Sequence, residues 1–72
     1  MIGNDINMDQ QISIDQMIAC VEREIGMREK HYPRWVKQKK IPQTTADQEL
    51  ARMRAVRGLL IDVLAEQQAR LL

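Results

Sequence analysis

Apolar residues recur at steps of three and four along most of this chain, which is the period of an amphipathic helix rather than a strand. Ile14, Met17, Ile18, Val21 and Ile25 begin the first stripe, and Tyr32, Trp35 and Val36 continue it. Ala46, Leu50, Met53, Val56, Leu60, Val63 and Leu64 make a second. The pattern predicts an all-α chain with two helices, over about residues 13–38 and 44–69. Residues 1–11 show no sustained period and hold Gly3, Asn4, Asp5 and Asn7, so they are expected to form a mobile arm.

The ends of the predicted helices carry their own signals. Ser13 with Gln16 has the spacing of a capping box, and Asp15 adds acid in the first turn, where the helix dipole favours it. Pro33 removes a backbone donor and disfavours helical angles at Tyr32, so the helix either kinks there or stops and restarts. The apolar period survives the proline, which favours the kink. Residues 39–43 form the turn, after which Thr44 or Thr45 is expected to cap the second helix. Thr45 with Gln48 again has capping-box spacing, and Asp47 and Glu49 would lie in the first turn.

Two helices of similar length and a short connection predict an antiparallel hairpin. Residues whose numbers add to about 83 or 84 then lie level. Gly26 and Gly58 fall level in this register, a spacing that would permit close helix approach. Each stripe keeps an open side, and dimerisation into a four-helix bundle would close it.

Length sharpens that expectation. The chain has 72 residues, one cysteine and one histidine. A chain this short is marginal unless a disulfide, a metal or a partner chain holds it. One cysteine forbids an internal disulfide, and one histidine leaves no protein-only zinc set. A homo-oligomer, simplest as a dimer, is the remaining route. No apolar run reaches membrane-spanning length, and the start of the chain lacks a secretory pattern, so a cytoplasmic location is expected.

Charge is unevenly placed although the net value is only +1. Residues 1–27 carry five acids and one base, whereas residues 28–40 carry six bases and one acid. Arg28, Tyr32, Arg34, Trp35, Lys37, Lys39 and Lys40 therefore gather basic and aromatic groups toward one end of the hairpin and are the candidate partner-binding residues. Basic charge beside aromatics also suits single-stranded nucleic acid, which stands as the alternative reading. The bland reading is a solvated tip, because bases are favoured at a helix C-terminus. No catalytic, metal or cofactor motif is present. Cys20 and His31 are eleven residues apart, about 16 Å along a straight helix, too far for a dyad.

Residues 17–56 resemble a group of very small, mostly uncharacterised helical proteins encoded by bacteriophages and prophages. The resemblance lies in Glu22-Arg23-Glu24, the Tyr32-Pro33-Arg34 element, the basic turn, and Ala46-Asp47 with Glu49-Leu50 opening the second helix. It brings no catalytic residue. It implies a non-enzymatic protein that works in the bacterial host cell by binding and blocking a host protein or defence complex.

Overall fold

The computed structural model describes residues 11–71, which form two helices and, among those residues, no strand. Helix α1 spans Ile14–Lys37 and helix α2 spans Gln43–Arg70, joined by residues 38–42 into a helical hairpin. The arm expected over residues 1–11 lies, apart from Gln11, outside the described residues.

Ser13 starts α1 through a reciprocal cap. Its hydroxyl accepts from the Gln16 backbone N–H at 3.1 Å, and the Gln16 side-chain oxygen accepts from the Ser13 N–H at 2.8 Å. Two donors that a helix leaves unsatisfied are thus paired locally. The helix runs through Pro33 to Lys37 without a break. It ends in a left-handed cap: Lys39 sits at φ 60°, its N–H donates to Val36 O at 2.9 Å, and the Lys40 N–H donates to Trp35 O at 2.8 Å. This pair of bonds is the Schellman arrangement, in which glycine usually holds the left-handed position.

The start of α2 corrects the sequence expectation. Its N-cap is Pro42, not Thr44 or Thr45, and no side chain caps it. Pro42 holds φ near −69° with ψ 152°, and its carbonyl accepts from the Ala46 N–H at 3.1 Å, so the first turn closes one residue after the proline. Thr44 and Thr45 then lie inside the helix, and the first turn holds no acid. Asp47 accepts from the Gln43 side-chain amide at 2.9 Å instead.

The helices meet along a narrow seam. Ile18, Ile25 and Tyr32 follow at seven-residue steps on the inner side of α1, and Ala46, Leu50, Met53, Leu60 and Leu64 line the inner side of α2. Among the described residues only Ile25 and Ala46, 3% and 2% exposed, are buried. An ion pair between Arg54 and Glu29, 2.7 Å, crosses the seam in the register expected from the turn. Gly26 and Gly58 do not mark a close approach: a Cβ at either would meet nothing within 4 Å.

Two substitutions test this account of the backbone by urea unfolding. Lys39→Gly relieves a left-handed lysine and is expected to raise stability by about 1 kcal/mol. Gly26→Ala, in open space inside a helix, is expected to raise it by about the same amount. A loss of stability in either variant would contradict the geometry described.

Candidate functional site at the turn end of the hairpin

One turn of α1 separates residues three or four apart, so Glu24, Arg28, His31 and Trp35 stack along one flank of the helix. With Met27 and Tyr32 they line a shallow recess of about 190 Å³. The Trp35 ring stacks on His31 at 5.8 Å between centroids and 16° between planes. The Tyr32 ring lies tilted beside Trp35 at 5.7 Å and 43°. Arg28 donates to the Glu24 carboxylate at 2.7 Å and to the Glu24 carbonyl at 3.1 Å. The hydrogen bond it donates to Glu24 pushes the Arg28 guanidinium above its usual range, against desolvation, with Tyr32 adding a smaller upward push.

Tyr32 also lines a second recess, again about 190 Å³, on the opposite side of the seam with Glu29, Pro33, Ala46 and Leu50. Its half-buried ring therefore closes the seam at the turn end. Both recesses are open to solvent and neither encloses a titratable group.

The seven candidate residues divide into two groups. Arg28, Tyr32 and Trp35 belong to the cluster on the flank. Arg34 lies about 100° around the helix from Trp35, and Lys37 about 200°, so neither shares its face. Arg34 and Lys37, with Lys39 and Lys40 on the turn, are exposed and surround the end of the hairpin. Glu24, Met27 and His31 join the flank without having been among the candidates. Their signal in the sequence is their spacing along a helix face relative to Arg28 and Trp35, which a run of basic charge does not follow.

Four ion pairs occur among the described residues, Glu24–Arg28, Glu49–Arg52, Glu29–Arg54 and Glu66–Arg70. None engages Arg34, Lys37, Lys39 or Lys40. Among the described residues no three of His, Cys, Asp and Glu come together in a way that would hold a metal. Cys20 is exposed on α1. No helix among them is long and apolar enough to cross a membrane.

No protein-family model matches the chain, and neither a curated protein nor a solved structure matches it. The geometry of the site therefore has to carry the functional reading.

The stacked rings give a direct test. His31→Ala removes the surface under Trp35 and is expected to lower stability by about 1 kcal/mol. It should also increase iodide quenching of Trp35 fluorescence. Unchanged quenching would mean that the indole does not rest on His31.

Proposed function

We propose that this chain is a non-enzymatic protein-interaction module whose basic end docks on an acidic surface of a larger host protein and blocks it. The observation that carries the reading is the unmatched charge at the turn. Arg34, Lys37, Lys39 and Lys40 are exposed, and no carboxylate among the described residues pairs with them. Charge left open in this way accelerates encounter with an oppositely charged surface and selects against basic ones. The resemblance to small phage-encoded helical proteins supports a bacterial host protein as the target class. The open, shallow recesses support binding over catalysis, since catalysis needs groups held away from bulk water.

The same reading takes the chain as a homodimer closing into a four-helix bundle. Its support is the thinness of the hairpin, in which, among the described residues, only Ile25 and Ala46 are buried. A core of that size is small for an independent domain.

Affinity capture from bacterial lysate tests the docking end. The wild-type chain is expected to retain a defined protein after nuclease treatment. A Lys37→Glu/Lys39→Glu/Lys40→Glu variant should lose it while keeping its helical circular dichroism. Capture unchanged in the variant would overturn the assignment. Capture that disappears with nuclease would instead favour nucleic acid, whose phosphate contacts carry a strong salt dependence.

A further inference from the structure

The two flanks of the hairpin differ. One carries the Glu29–Arg54 ion pair, with Gly26, Gly58 and a single exposed Ile61. The other carries more exposed apolar side chains, set around the Glu24–Arg28 and Glu49–Arg52 ion pairs. Met17 and Trp35 are exposed on it from α1, and from α2 come Val56 and Leu59, 46% and 63% exposed, with half-buried Leu60 and Val63 beside them. Large apolar side chains gathered on one exposed face in this way mark a contact surface. The whole flank, apolar and charged groups together, is roughly 36 Å long and two helices wide, roughly 700 Å², close to the area that one partner contributes to a stable interface.

Resting on the dimer reading above, we propose that a second copy of this chain covers this flank, pointing in the opposite direction, so that α1 lies antiparallel on the partner's α1. The flank of α1 is self-complementary about position 26. Met17 and Trp35 are each nine residues from that point, Val21 and His31 five, and Glu24 and Arg28 two. In the antiparallel arrangement each member of a pair therefore meets the other member on the second copy, as a two-fold axis requires. A Met17 thioether reaches the edge of a Trp35 ring, a contact that sulfur and aromatics favour. Glu24 reaches a second Arg28, and the two intrahelical pairs join into a four-membered charge network at the axis. That second pairing matters, because the interface takes Glu24 and Arg28 out of water and an added partner for each offsets the cost.

Charge selects the direction. The first half of α1 carries Asp15, Glu22 and Glu24 against Arg23, while its second half and the turn are basic. Opposed copies hold the two basic ends apart, at opposite ends of the dimer. Copies pointing the same way would bring both basic ends together, and α1 would lie on the partner's α2, leaving the Glu24–Arg28 symmetry unused. The opposed dimer keeps Arg34, Lys37, Lys39 and Lys40 free at both ends, so two docking surfaces point away from each other.

Sedimentation equilibrium of charge-exchanged variants tests this directly. Glu24→Arg leaves four arginines at the axis and Arg28→Glu leaves four glutamates there. Each variant alone is expected to dimerise at least about tenfold more weakly than wild type. An equimolar mixture should recover near wild-type association as a heterodimer, a result that no effect within one helix can produce. Val56→Asp, on the same flank but outside the seam, should yield a helical monomer. A wild-type monomer, or a dimer whose variants gain nothing on mixing, would overturn the proposal. The docking end is judged separately by lysate capture, so failure here leaves that reading standing.

Discussion

Two helices lying side by side can bury only the strip of each that faces the other. In this chain that strip is one residue wide for most of its length. Ile25 and Ala46 are buried, and the inner residues around them remain half-buried. Everything else about the molecule follows from the limit. There is no room for an enclosed cavity. Both flanks of the seam stay available for contact, and the ends are held by local hydrogen bonds, with little packing to help.

Local bonds accordingly do much of the ordering. The Ser13–Gln16 box fixes where α1 begins, and the Lys39 and Lys40 amides fix where it ends. Between them the turn is set by backbone geometry, with a left-handed lysine followed by a proline that fixes the entry to α2. The left-handed lysine costs conformational energy, and the structure tolerates it because two bonds to the end of α1 hold it in place. The consequence for function is a rigidly placed basic end carried by a thin scaffold. Its two flanks differ in character, one polar across the Glu29–Arg54 pair and one apolar around the Glu24–Arg28 pair.

The two helices, their hairpin register and the Ser13 cap were legible because each rests on short spacings. The level position of Glu29 and Arg54 follows directly from the length of the turn. Pro33 was ambiguous, since a proline inside a helix and one at its restart share the same neighbours. The start of α2 was misplaced because threonine is a stronger cap than proline by propensity, whereas the chain used Pro42 for its fixed backbone angle. Gly26 and Gly58 suggested close contact by being level, but level residues touch only when both face the seam, and a Cβ on either would point into open space. The candidate site was legible as a concentration of charge. Its division was not, because a run along the sequence winds around a helix: Arg28 and Trp35 return to one flank, while Arg34 and Lys37 leave it.

The central claim is that a hairpin with so narrow a seam is completed by another chain. Anything that binds the folded form alone raises its melting temperature with concentration. Thermal unfolding followed by circular dichroism across a hundredfold range of protein concentration measures this with the unaltered chain. The account predicts a melting temperature that climbs steadily with concentration. A melting temperature independent of concentration, from a species with the mass of one chain, would contradict it.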